Sequence, residues 1–115
     1  MSKHDLTVSL YHMRDAATEA LRMTRGRTRE ELDSDRMFSL AIVRLLEILG
    51  EAANRIPREN QAQYPGIPWP QLIGLRNRLI HAYDQIDFDI LWQILIQDLP
   101  ALCSELERIL ASENT

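Results

Sequence analysis

Within eight residues, Arg76-Asn77-Arg78-Leu79-Ile80-His81-Ala82-Tyr83, the chain gathers two guanidinium groups, an amide, an imidazole and a phenol. These types suit phosphate chemistry. An arginine is a rigid fork of donors that stays charged at any working pH. A histidine titrates near neutrality, so it can take a proton from a ribose 2′-hydroxyl or return one to a leaving oxygen. Arg76 and His81 together suffice for RNA cleavage without a metal. The 2′-oxygen would be the nucleophile, and the arginine would hold the charge that develops on the phosphoryl group. The same pair has a plainer use: a histidine near a helix C-terminus satisfies terminal carbonyls, and an arginine near carboxylates often belongs to a solvated face.

The positions of these groups depend on the helix that carries them. With residues 70 to 83 helical, each advances by about 100°, so Leu72, Leu75, Leu79 and Ala82 form an apolar stripe that the polar residues flank. Asn77 and His81, four apart, face one way. Arg76 and His81 diverge by about 140°, and within one helix only the reach of the guanidinium brings them together. The preceding segment, residues 36 to 55, is apolar on nearly all sides and reads as a central buried helix. Its one charged stripe holds Arg44, Glu47 and Glu51, continued by Asn54 and Arg55. Partly buried charges need partners. Either a carboxylate of this stripe orients His81 or fixes Arg76, or Arg44 pairs with the glutamates along its own helix.

The run Ile67-Pro68-Trp69-Pro70-Gln71-Leu72-Ile73-Gly74-Leu75 leading into Arg76-x4-His81-x-Tyr83 resembles the HepT-like branch of the HEPN ribonucleases. So do Ile86-Asp87, Leu91-Trp92 and Asp98-Leu99-Pro100 downstream, and Leu46-Glu47-Ile48-Leu49-Gly50-Glu51-Ala52-Ala53 and Tyr64-Pro65-Gly66 upstream. The resemblance covers about the whole chain. It implies an all-α fold, an antiparallel up-and-down bundle of four or five helices, as one domain over residues 1–115. It also implies the toxin of a toxin–antitoxin pair: a metal-independent endoribonuclease that needs no cofactor and forms its cleft between two copies of the chain. Arg76 and His81 match the catalytic residues of that family, and Asn77 the polar residue that supports the arginine. Tyr83 matches the tyrosine adenylylated by a cognate minimal nucleotidyltransferase antitoxin. The chain departs from the family pattern at Ala82, where many relatives carry glycine, and at Asp84, where many carry an aromatic residue. A second reading, from a different class, is a non-catalytic helical subunit that docks a nucleotidyltransferase and holds nucleotide or phosphate through Arg76.

Length and charge set limits on both readings. A chain of 115 residues suits one domain, and dimerisation would bury more of its surface. The single Cys103 excludes an intramolecular disulfide, and no His, Cys and carboxylate cluster has metal-ligand spacing. With no signal peptide and no apolar run near 18 residues, the expected location is the cytoplasm. A net charge of −4 argues against coating nucleic acid non-specifically. RNA binding should therefore be local, through a patch of Arg44, Arg55, Arg58, Arg76 and Arg78, doubled by a two-fold axis.

The remaining segments read as helices without strand alternation. Leu6, Leu10, Met13, Ala17, Ala20 and Leu21 predict an amphipathic first helix ending near Gly26, and Thr28 to Glu31 a capping box. Residues 56 to 69, with three prolines and Gly66, predict a loop. A further helix runs from Phe88 to Gln97, and Asp98-Leu99-Pro100 either starts a new helix to Ala111 or kinks one long helix. Trp69 and Trp92 read as core rather than as platforms for bases. Cys103 lies on a carboxy-terminal apolar stripe, His4 and His12 read as surface residues, and Tyr11 and Tyr64 lack evident polar company.

Overall fold

A computed structural model describes residues 1–113, the side chain of Tyr83 excepted. Every regular element among the described residues is helical, with no strand. Helix α1 spans Lys3–Thr24, α2 Glu31–Ser34, α3 Arg36–Arg55, α4 Arg58–Gln61 and α5 Trp69–His81. A 3-10 turn at Tyr83–Gln85 leads to α6, Phe88–Gln93, which passes through a π segment, Ile94–Asp98, into α7, Leu99–Glu113. The all-α multi-helix bundle expected from the sequence is the one observed.

Local signals set the helix ends. Ser2 accepts from the Asp5 amide at 3.0 Å and caps α1. The chain leaves α1 through Gly26, whose φ of 72° is a left-handed value that glycine adopts without a Cβ penalty. Glu31 supplies one half of the expected capping box, its carboxylate accepting from the Thr28 amide at 3.0 Å. Asp35 caps α3 by accepting from the Phe38 amide, and Arg27 bonds Asp35 at 2.6 Å while lying over the Phe38 ring. The Arg27 guanidinium, followed by the Phe38 amide, holds the Asp35 carboxyl below the usual carboxylate range. That cluster joins the end of α1 to the start of α3.

The long helices pack in the order α5, α3, α1, α7. Their shared core is Leu10 and Met13 of α1, Ile42, Leu46 and Leu49 of α3, Leu79 of α5 and Leu106 of α7, all with less than 2% of their surface exposed. These residues recur at three and four along each helix, the spacing of one buried face. No helix among the described residues is long and apolar enough to cross a membrane. Trp69 is buried and Trp92 packs against the core, so both indoles serve packing.

The loop before α5 is tied down rather than loose. The Trp69 indole donates to the Tyr64 carbonyl at 3.1 Å, Gln61 donates to the Ile56 carbonyl at 2.9 Å, and the Tyr64 hydroxyl donates to Glu113 at 2.8 Å. Two expectations are corrected here: Tyr64 has a carboxylate partner, and Tyr11 has the Arg14 guanidinium 4.8 Å from its ring centre. Glu113 is 49 residues from Tyr64 and no local pattern shows that pairing, whereas Arg14 lies three residues from Tyr11 on α1, a spacing at which helical side chains meet. The stretch from Phe88 to Glu113 resolves as one continuous helix widened before Pro100. Pro100 has no N–H for the Ile96 carbonyl and its ring crowds that carbonyl. The π segment absorbs the mismatch, with the Leu99 amide donating to Ile94 five residues back.

Candidate functional site

Helix α5 carries the Arg76 to His81 stretch, and its seat on α3 is set by a glycine. A Cβ on Gly50 would lie 2.3 Å from Cβ of Arg76 and 2.8 Å from the Leu72 carbonyl oxygen. Leu72 and Arg76 are one turn apart, so a single stripe of α5 crosses α3 at Gly50 with its backbone nearly in contact. Glycine inside a helix costs roughly 0.5–1 kcal/mol relative to alanine. Here the closeness of the two helices offsets that cost.

Arg76 therefore leaves α5 on the side that faces α3. Its Nη1 donates to Asn77 Oδ1 at 2.8 Å, and its Nε is buried with no hydrogen-bond partner. Arg76 makes no ion pair among the described residues. A buried donor without a partner costs about 1–3 kcal/mol, and such groups in folded chains call for a reason. Asn77 orients the guanidinium without neutralising it.

His81 is the last residue of α5, exposed, and unpartnered among the described residues. The helix stops there: the Ala82 amide donates to the Arg78 carbonyl at 2.9 Å, and Ala82 turns to φ −145°, ψ 39°. That φ is negative, so alanine takes the position without the strain that would demand glycine. Tyr83 opens the 3-10 turn instead of extending α5, which corrects the expectation of a helix through residue 83. Its side chain, and with it the modification site expected from the sequence, lies outside the described residues.

The charged stripe of α3 adopts the second of the two arrangements weighed above. Arg44 Nη1 lies 3.1 Å from Glu47 and 3.6 Å from Glu51. Among the described residues neither glutamate pairs with Arg76 or His81. Within a single chain Arg44, Glu47 and Glu51 thus partner one another: the nearest opposite charge sits on the same helix, three and seven residues away.

Nor do the five arginines form one face. Arg78, two residues beyond Arg76, emerges about 200° around α5 and lines two grooves, of about 610 and 410 Å³, between α5 and the α6–α7 helix. Asp98 shares the larger groove and Asp87 the smaller, so this side is not basic. Arg55 and Arg58 are exposed at the end of α3 and the start of α4.

Two perturbed groups lie away from α5. Burial, reinforced by the bond to Glu113, pushes the Tyr64 hydroxyl up to about 12. Burial raises the Cys103 thiol, which fits a packing residue rather than a reactive one. Among the described residues no group of three or more His, Cys, Asp or Glu is arranged to hold a metal ion. The residue that sequence reasoning missed is Gly50. Its signal was present, a glycine in the middle of a long apolar helix.

A family model described as ribonuclease HepT-like matches residues 13–109. A protein of Methanocaldococcus jannaschii named as a candidate RNase is 36% identical, over 93% of this chain and 98% of its own length. A candidate RNase of Caldanaerobacter subterraneus is 30% identical over 91% of this chain and 94% of its own. A candidate ribonuclease HepT of Thermococcus cleftensis is 36% identical over 70% and 73%. No solved structure matches.

Proposed function

The chain belongs to the HepT-like ribonuclease family, and from that premise we propose that it is a metal-independent endoribonuclease, the toxin of a toxin–antitoxin pair, acting through Arg76 and His81. One observation carries the reading: Arg76 is oriented by Asn77, free of any counter-charge among the described residues, and buried at Nε without a partner. A guanidinium so held is ready for a phosphate.

In the proposed reaction His81 takes the proton of a ribose 2′-hydroxyl. The 2′-oxygen attacks the adjacent phosphorus, the bond from phosphorus to the 5′-oxygen breaks, and that oxygen leaves with the proton that His81 returns. The products are a 2′,3′-cyclic phosphate and a 5′-hydroxyl. Arg76 holds the negative charge on the non-bridging oxygens, which grows in the transition state. Asn77 keeps the guanidinium in place.

The two groups point about 140° apart on α5, so the productive pair is Arg76 of one copy with His81 of a second. A two-fold axis makes two such pairs. Control lies at Tyr83. Its hydroxyl attacks the α-phosphorus of ATP on a nucleotidyltransferase antitoxin, pyrophosphate leaves, and the adenylate adds charge and bulk two residues from His81.

Total RNA incubated in EDTA with the parent, Arg76→Ala and His81→Ala proteins tests the reading. Cleavage by the parent alone, leaving cyclic phosphate and 5′-hydroxyl ends, is the expected result. Intact RNA with all three proteins would overturn the ribonuclease and favour the subunit that only binds a nucleotidyltransferase.

A further inference from the structure

We propose that Gly50 is a positioning residue for the ribonuclease reaction: the missing side chain lets α5 seat against α3 so that Arg76 presents its guanidinium at a fixed depth. The inference rests on the role proposed for Arg76 and adds to it a residue on another helix that never touches RNA.

The geometry is specific. Any residue but glycine would put a Cβ 2.3 Å from Cβ of Arg76 and 2.8 Å from the Leu72 carbonyl oxygen. Neither neighbour can swing aside, because one is backbone and the other is a side-chain root fixed by its own helix. Relief needs α5 to lift from α3 by more than an ångström, the difference between 2.3 Å and an ordinary carbon–carbon contact of roughly 3.5 Å. The shift falls first on Arg76. Its Nε loses the burial it now has, and the guanidinium, with Asn77 carried along on the same helix, moves relative to α3. Misplacement of a catalytic group by about 1 Å can cost on the order of 100-fold in rate.

A control lies on the same helix. Gly74 of α5 has nothing within 4 Å of the position its Cβ would take. Gly74→Ala thus makes the same chemical change, two residues from Arg76, with no push on α3. Because alanine favours the helix, it also strengthens α5, so Gly50→Ala can be made alone and in the Gly74→Ala background.

The test has two readouts. The first is RNA cleavage per folded molecule for the parent, Gly50→Ala, Gly74→Ala, Arg76→Lys and the Gly50→Ala, Arg76→Lys pair. The second does not need activity: exchange of the Arg76 Nε–H with solvent, followed in the nitrogen-15 spectrum. The expected outcome is a loss of about 100-fold in kcat for Gly50→Ala, with Gly74→Ala at the parent level. Gly50→Ala should add little once Arg76 is lysine, and Arg76 Nε–H exchange should quicken in Gly50→Ala alone. A merely structural role would lower the rate by the same factor in both Arg76 backgrounds, and that result would overturn the proposal.

Parent-like exchange and kcat in Gly50→Ala would overturn it too, as would failure to fold in both backgrounds, because Gly50 would then serve the fold at large. If the parent cuts no RNA, the ribonuclease reading falls by itself, and the exchange measurement still decides whether Gly50 sets Arg76.

Discussion

His81 and Asn77 can be removed at little structural cost, which makes them clean probes. His81 is exposed and bonds nothing among the described residues, so His81→Ala should leave the urea midpoint unchanged. Cleavage should fall by about 10² to 10⁴, the usual worth of general acid–base help. Asn77→Ala should slow cleavage by about tenfold, because one exposed hydrogen bond to a charged group is worth about 1.5 kcal/mol; quench-flow rates on a model oligonucleotide would show it. Tyr64 gives a prediction in pH. Its folded-state value of about 12 lies above the ordinary 10.0, so the folded state keeps a proton that the unfolded chain releases. The stability tied to this group is present below pH 10 and drains away as pH rises toward 12. Urea titrations between pH 9 and 12 should show a falling limb that Tyr64→Phe flattens. The residue types at the site were legible in the sequence, and so was the angular divergence of Arg76 from His81. The burial of Arg76 Nε was not, because it depends on where α3 lies.

Among the helices, the segments with strong periodicity and caps were read almost to the residue. The first helix was expected to stop near Gly26, and its α-helical bonding ends at Thr24. The second long helix was expected to end before Pro57, and α3 ends at Arg55. Two features were left open between alternatives because their causes are competition between partners. Arg44 lay open to Glu47 and Glu51 or to residues across the fold, and only the packed chain shows which carboxylates it takes. Pro100 was expected to break or bend a helix. The π segment that carries the chain past it depends on the Leu99 amide finding the Ile94 carbonyl. For α5 the structure makes a direct forecast: Gly74→Ala should raise stability by roughly 0.5–1 kcal/mol, because alanine enters open space in a helix. A lower urea midpoint would contradict it.

At the scale of the whole molecule, the acidic balance and the scattered arginines define how RNA is met. With a net charge of −4 and Arg78 on the far side of α5 from Arg76, few cations can touch one strand. Binding to a cleavage-resistant oligonucleotide should therefore depend weakly on salt. With Arg76 and Arg78 from two copies as an upper bound, the logarithmic slope should be no steeper than about −3. A steeper slope in a salt titration would mean that cations beyond these two also touch the strand. The proposed pairing of Arg76 with His81 across copies has its own consequence. Mixing the Arg76→Ala and His81→Ala proteins, each inactive alone, should restore part of the cleavage, because the mixed dimer keeps one intact pair. No recovery would place both groups in one copy.

The close crossing at Gly50 also has a genetic consequence. If, as proposed, expression of this chain stops growth, the cells that survive will carry changes that disarm it, and the motif itself is a small target. Every missense change at a glycine codon introduces a Cβ, and at this position every Cβ meets Arg76 and the Leu72 carbonyl. Escape mutations should therefore recur at residue 50, outside the stretch proposed to perform the chemistry, and be rare at Gly74, where a new methyl group meets nothing.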